Sequence, residues 1–358
     1  MVLSYIENKR LSMLQIIVSK DGKFGGGENI TQLIYNNLGE HSFIITNSEE
    51  LNKKIDDLNR CFLFAYKKLN IVNLLRLILF VRVIISNNDI SRIISHHRFS
   101  TLAGWCAVLG KDIKLVHYIH YFTHGRSILP LFIKHFVAVS NSLKDHWVKH
   151  HNVSEEKISV IYNGIEAKNS SQRRKEEFSE KFTVRNGQLN ICIVGRLDPI
   201  KGHKVLFDAM EYEGFENAKV FVIGDGVERE SLEAYVKNKS YSSQIKFCGF
   251  VSNPVEIISL FDLLILPSYS EGLPFTLVEA MSQNLGILAS DIPPNVETLG
   301  DDYPFTFQVG DAKSLSNCLN KFRESADSVK EGLNRKMYIR FMDYFQLNAM
   351  ITKIKEIL

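Results

Sequence analysis

Short apolar runs recur along this chain, each closed by a glycine, asparagine or polar turn and followed by a segment with helical spacing of its apolar residues. In the first half the runs predict strands at residues 13–19, 42–46, 91–95, 115–119, 136–139 and 158–161, with a helix at 28–38 after the first. In the second half they predict strands at 191–194, 219–223, 245–248, 263–266 and 286–289, with helices between them and helix from 320 to the end. Apolar strands alternating with helices are the pattern of a parallel sheet covered on both faces. A polar stretch at 166–190, with a helix expected near 172–182, separates the halves. The expected fold class is α/β: Rossmann-like domains at 1–165 and 166–335, and a C-terminal helix at 336–358 that could pack back on the first domain.

A chain of 358 residues is too long for one ordinary core, and its 45% apolar and 23% charged residues are those of a globular protein. Cys61, Cys106, Cys192, Cys248 and Cys318 are odd in number and widely spaced, without a Cys-x-x-Cys pair, which points to a reducing compartment. No secretory signal is visible before the first strand, where Glu7, Lys9 and Arg10 stand. The longest apolar stretch, 71–86, is interrupted by Asn73, Arg76 and Arg82. It is too short for a bilayer span and reads as a buried or interfacial helix.

Net charge is only +3 but divides unevenly: residues 1–165 hold 20 Lys+Arg against 13 Asp+Glu, and the rest 23 against 27. Ten of the eleven histidines also lie in the first half. A basic half suggests an anionic partner, a membrane surface or a nucleic acid. The segment 142–151 mixes Lys144, His146, Lys149, His150 and His151 with Trp147, the composition of a membrane-contact helix or of a solvated one.

Candidate chemistry concentrates in the second half. After the apolar run 263–266 comes Pro267-Ser268-Tyr269-Ser270-Glu271-Gly272-Leu273-Pro274-Phe275-Thr276-Leu277-Val278-Glu279. A strand that ends in a Gly/Pro turn and opens a helix sets Glu271 at the strand's C-terminal edge and Glu279 in the helix's first turn, with Pro274 at the first helical position. Ligands of open α/β sheets bind at such edges, and the free N–H groups of a helix start suit a phosphate. A second turn, Gly195-Arg196-Leu197-Asp198-Pro199-Ile200-Lys201-Gly202, follows the strand at 191–194. Arg offers a flat fork and Lys a mobile point charge, a pair suited to a diphosphate. Two carboxylates could also serve a glycosidase, although Arg196 and Lys201 would then have no role.

In the first half, Asp21-Gly22-Lys23-Phe24-Gly25-Gly26-Gly27-Glu28 leaves the first strand and opens a helix, so its backbone can approach a ligand. It lacks the Gly-x-Gly-x-x-Gly order of a nicotinamide enzyme. His120 lies just past the edge of the strand at 115–119. His96, His97, His117, His120 and His124 match no standard zinc spacing, so no metal is expected.

The Glu271…Glu279 element and the Gly195-Arg196-Leu197…Lys201-Gly202 turn resemble the donor site of the retaining GT-B glycosyltransferases of family 4. Val137-Ala138-Val139-Ser140-Asn141-Ser142, Val160-Ile161-Tyr162-Asn163-Gly164-Ile165 and Val222-Ile223-Gly224-Asp225-Gly226 agree, over nearly the whole chain. Two departures follow Glu279: Asn284 stands where the family usually has glycine, and Gly286 where it has proline. Asn tolerates the left-handed backbone, so the turn should survive.

The resemblance implies two domains facing across a cleft and transfer of a sugar, with retention, from a UDP- or GDP-sugar, without a metal or other cofactor. Arg196, Lys201 and the helix start with Gly272, Leu273, Phe275 and Thr276 would meet the diphosphate, Glu271 the sugar hydroxyls, and Glu279 the ribose. Gly26 and Gly27 would face the donor diphosphate and the acceptor near the reaction centre, His120 would lie beside the donor sugar, and Phe250 and Val251, after Gly249, beside the base. The expected acceptor is a saccharide or lipid-linked saccharide in bacterial surface-polysaccharide assembly. The expected location is cytoplasmic and peripheral to the inner membrane, with an anionic membrane surface and no nucleic acid as partner. A non-catalytic subunit that binds nucleotide sugars is the alternative from another class.

Overall fold

The computed structural model describes residues 12–20, 22, 25–55, 57, 59–66, 68–123, 125, 127–166, 171–185 and 187–358. The expectations for residues 1–10, for Asp21, Lys23 and Phe24 of the glycine loop, for His124 and for 167–170 of the polar stretch lie outside these. The chain divides into two compact units, Met1–Asn163 with Met350–Leu358, and Gly164–Ala349.

The first unit is built on seven parallel strands: β1 Ser12–Ile17, β2 Ser42–Thr46, β3 Cys61–Leu63, β4 Ile90–Ser95, β5 Lys114–Ile119, β6 His135–Ala138 and β7 Ile158–Val160. Their order across the sheet is β3-β2-β1-β4-β5-β6-β7. β1 and β2 are buried along their whole length, the signature of strands covered on both faces. β3 lies outside the sequence expectation because its three residues, Cys-Phe-Leu, are too few to show a period. In the last helix, Leu347–Ile357, Met350, Ile351 and Ile354 are buried. Arg92 of β4 and Lys114 of β5 donate to the carbonyls of Leu358 and Ile357.

The second unit has six parallel strands: β8 Leu189–Val194, β9 Ala218–Ile223, β10 Ile245–Gly249, β11 Leu263–Leu266, β12 Gly286–Ser290 and β13 Thr306–Phe307. Their order is β10-β9-β8-β11-β12-β13. The two-residue β13 was also beyond the sequence pattern. Helicity at the end is not continuous from 320 but divided into Ala312–Glu324, Asp327–Tyr344 and Leu347–Ile357. The second break has a structural cause, since Gln346 pairs with Ile165 in a parallel bridge flanked by bonds from Ile165 N–H to Phe345 C=O and from Leu347 N–H to Ile165 C=O. Gly164 permits this approach, because a Cβ there would stand 2.4 Å from Gln346 O.

Both departures after Glu279 are accommodated. Asn284 takes φ 54°, and Leu285 N–H reaches Ala280 C=O at 3.1 Å while Asn284 N–H reaches Met281 C=O at 3.3 Å, a Schellman closure of the helix Phe275–Ser282. At Gly286 a Cβ would lie 2.8 Å from Phe322 Cζ, so the small residue leaves space for that ring.

Candidate functional site

β8 and β11 are neighbours in the sheet although two strands separate them in sequence, so sheet growth reverses between them. Open α/β sheets hold ligands at such switch points, outside the strands' C-terminal ends. The turn carrying Arg196 and Lys201 follows β8, and the turn carrying Glu271 follows β11. Tyr269 N–H donates to Ile200 C=O at 2.7 Å and joins the two turns. Gly202, at φ +66°, lets them touch, since a Cβ there would sit 2.1 Å from Pro267 O.

Between the two turns Lys201 Nζ bonds Glu271 Oε1 at 2.7 Å and Oε2 at 2.9 Å, and Ser268 Oγ donates to Oε1 at 2.7 Å. Glu271 is 8% exposed, so its charge is held by these partners rather than by water. Ser268 is itself fixed, because Ser290 Oγ donates to its carbonyl and Asn295 Nδ2 donates to Ser290 O and Oγ. Arg196 is half-exposed, with its nearest salt-bridge oxygen, Asp198 Oδ2, 4.0 Å away. Its fork is available to an anion.

The helix Phe275–Ser282 begins beside these groups without a side-chain cap. Pro274 is the cap residue rather than the first helical residue, and Glu279 is the fifth residue rather than part of the first turn, which contains no acid. The shift has a simple cause: Pro274 adopts ψ 92°, an extended value, so helical geometry starts one residue later. Glu279 is half-buried, its carboxylate has no bonded partner among the described residues, and burial raises its pKa to about 7. A desolvated carboxylate without a partner is an acceptor waiting for a donor. Gly272 and Leu273 lie in the turn before this helix. Phe250, 67% exposed, and Val251 follow β10, at the far edge of the sheet from β13.

The first unit repeats the plan. Its growth reverses between β1 and β4, and the helix Gly26–Leu38 opens after β1, with Gly25 N–H bonded to Glu28 Oε2 at 3.0 Å. A Cβ on Gly27 would be 3.8 Å from His120 Cδ2, so the glycine turn and His120 are brought together. His120 Nε2 lies 2.8 Å from His96 Nδ1, and His96 Nε2 lies 3.2 Å from Gln15 Oε1. Gln15 Nε2 donates to Thr31 C=O at 3.0 Å, which turns its carbonyl oxygen toward His96. His96 must therefore carry its proton on Nε2 and accept on Nδ1, and His120 must donate from Nε2, leaving His120 Nδ1 as an acceptor. Burial and the neighbouring histidines hold both rings neutral, His120 at about 3.

Gln15 and His96 were not among the expected site residues. The signal for Gln15 was a lone amide inside the apolar run Met13-Leu14-Gln15-Ile16-Ile17, a costly burial unless bonded. Of the two readings of the segment 142–151, the membrane-contact one loses its aromatic: Trp147 is 1% exposed and packs against His117 and Phe136.

Two family models match the chain, Glycosyltransferase Family 4 over residues 36–169 and Glycosyl transferases group 1 over 174–337. Together they cover most of its length, and the chain belongs to the family-4 glycosyltransferases. Among curated relatives, it is 24% identical over 231 residues to the O-antigen biosynthesis glycosyltransferase WclY of Escherichia coli, spanning 64% of this chain and 62% of that one. It is 29% identical over 259 residues to an uncharacterised glycosyltransferase of Methanocaldococcus jannaschii, 70% of this chain and 62% of that one. A third relative is the Escherichia coli UDP-Gal:alpha-D-GlcNAc-diphosphoundecaprenol alpha-1,3-galactosyltransferase, 26% identical over 62% of this chain and 59% of that one.

A glycosyltransferase structure from Rickettsia africae superposes with TM-score 0.87 at 20% identity, covering 98% of both chains. The Anabaena protein HepE, solved in complex with UDP, superposes with TM-score 0.82 at 18% identity over 97% and 99% of the two chains. The fold is thus the GT-B plan of two Rossmann-like parallel sheets.

Proposed function

We propose that this chain is a retaining glycosyltransferase that moves a sugar from a UDP- or GDP-sugar to a lipid-linked saccharide in bacterial surface-polysaccharide assembly, without a metal. The observation that carries the reading is the cluster at the β8/β11 switch point, where Lys201, Glu271, Ser268 and an uncapped helix start converge. It supplies cations and backbone N–H groups for a diphosphate beside buried acceptors for hydroxyls. The names of the curated relatives support the acceptor class: O-antigen assembly in one, a diphosphoundecaprenol-linked saccharide in another.

In this reading Arg196, Lys201 and the N–H groups of Phe275 and Thr276 neutralise the departing diphosphate. Glu271 accepts from sugar hydroxyls, Glu279 from the ribose, and His120 Nδ1 from a further hydroxyl. A carboxylate already paired to Lys201 is a weak nucleophile, which favours attack by the acceptor on the face the diphosphate leaves. Catalysis then rests on positioning and charge stabilisation. Peripheral attachment at the cytoplasmic face of the inner membrane would bring the protein to such an acceptor.

The test is incubation of the purified protein and its Glu271→Gln variant with UDP- and GDP-sugars and an undecaprenyl-diphosphate-linked saccharide in the presence of a chelator. The expected result is transfer by the wild type alone, with the anomeric configuration retained. Nucleotide binding without transfer or donor hydrolysis would instead support the non-catalytic subunit.

A further inference from the structure

The helix Ile71–Asn87 in the first unit buries Asn73, Leu77, Val81, Ile84 and Ile85. Its opposite side is also apolar: Ile71 is 67%, Val72 60%, Leu75 55%, Leu79 61% and Val83 52% exposed. Ile71, Leu75, Leu79 and Val83 recur every four residues and so form one stripe along the helix. Exposed Leu69 stands two residues before the helix starts. A stripe of this kind marks a surface that something apolar covers.

The charge around it says what. Between Asp57 and Asp89 the sequence has no acid but holds Arg60, Lys67, Lys68, Arg76 and Arg82. Two of these are fixed beside the stripe, Arg76 by Asn73 Oδ1 at 2.8 Å and Arg82 by Cys106 C=O at 3.1 Å. Cys106 belongs to the helix Arg98–Val108, which packs against Ile71–Asn87. That helix sends Trp105 and Val108 into a groove of about 500 Å³ whose other walls include Arg92, Lys111, Lys114 and Lys134, with Asp112 the one acid among the described residues that line it. A second copy of the chain is a poor occupant, because a two-fold contact would set the same cations against each other with no acid in the segment to pair them. The helix, 17 residues long and carrying two arginines, is too short and too polar to span a bilayer.

We propose that the helix Ile71–Asn87 docks on an anionic lipid surface. It lies in the plane of the interface, its apolar stripe enters the acyl boundary, and Arg76, Arg82 and the neighbouring lysines meet the lipid phosphates. This rests on the reading of the protein as a peripheral membrane enzyme and names the surface responsible.

The experiment is flotation of the full chain with vesicles of phosphatidylcholine alone or with added phosphatidylglycerol, beside calorimetric binding of UDP and GDP as a check on folding. The wild type should float with the phosphatidylglycerol vesicles. Leu75→Ser/Leu79→Ser should lower vesicle partitioning at least about tenfold, and Arg76→Gln/Arg82→Gln should remove the preference for anionic vesicles. Both variants should bind the nucleotide as the wild type does. Variants that float like the wild type would overturn the assignment of this helix while leaving membrane attachment standing. A folded wild type that floats with neither vesicle would overturn both. A wild-type dimer that the Ser variant converts to monomer, without vesicle binding, would assign the stripe to a second copy instead.

Discussion

Lys201 Nζ stands 2.7 and 2.9 Å from the two carboxylate oxygens of Glu271, so a cation suited to phosphate and an anion suited to hydroxyls hold each other in place. Replacing Lys201 with Ala leaves Glu271, 8% exposed, with Ser268 but no counter-charge. Because Lys201 is itself 21% exposed, the expected loss of stability is about 1–3 kcal/mol, below that of a fully buried pair. Nucleoside diphosphate affinity should fall at least about tenfold with the lost phosphate contact. Urea denaturation and calorimetry read the two effects, and a variant unchanged in both would show that the pair is incidental.

Glu279 titrates near 7 in the folded protein against an ordinary 4.5, and burial is the cause. Between those values the folded state holds a proton that the unfolded chain has released, so stability falls as pH rises from about 4.5 to about 7. Ligand binding runs the other way: if the ionised carboxylate accepts from the ribose, affinity should rise through pH 7. The diphosphate titrates as well, so the informative quantity is the difference between wild type and Glu279→Gln. That difference should grow with pH, and a constant difference would remove the carboxylate from the site.

The chain of bonds from Thr31 through Gln15 and His96 to His120 sets one tautomer. Nitrogen-15 spectra of the histidine rings should show His120 protonated on Nε2 and bare on Nδ1 down to pH 5, since its pKa lies near 3. Gln15→Leu removes the acceptor that orients His96, and His120 should then populate both tautomers. A spectrum unchanged by that substitution would mean the ring is set by other neighbours.

Gly202 is required twice, for its φ of +66° and for its contact with Pro267 O. Gly202→Ala should cost at least about 2 kcal/mol and part the turns that carry Lys201 and Glu271. The measurement is again the urea midpoint together with nucleotide affinity. A variant as stable as the wild type would show that the turns yield without strain.

Much of this was readable from the sequence. Strands such as Ser42–Thr46 and Leu263–Leu266 announced themselves as unbroken apolar runs, and both turns at β8 and β11 were visible from their Gly, Pro and charged residues. β3 and β13 were not, because strands of two or three residues have no period and are fixed by their neighbours. The break at Phe345 was equally silent, since it depends on a bridge to Ile165, far away in sequence. Glu271, Lys201 and His120 stood out in the sequence by type and position at strand ends, whereas the bonds that tie Gln15 and His96 to His120 exist only through contacts that folding creates. Trp147 shows the opposite error, an aromatic that looked interfacial among bases and is buried.

The most direct test of the central claim is calorimetric titration of the wild type, Arg196→Ala and Glu279→Ala with UDP and GDP. Tight binding of one diphosphate by the wild type, weakened at least about tenfold in both variants, is the expected result. Failure of both nucleotides to bind, or binding that neither substitution weakens, would contradict the assignment of the β8/β11 switch point as the donor site.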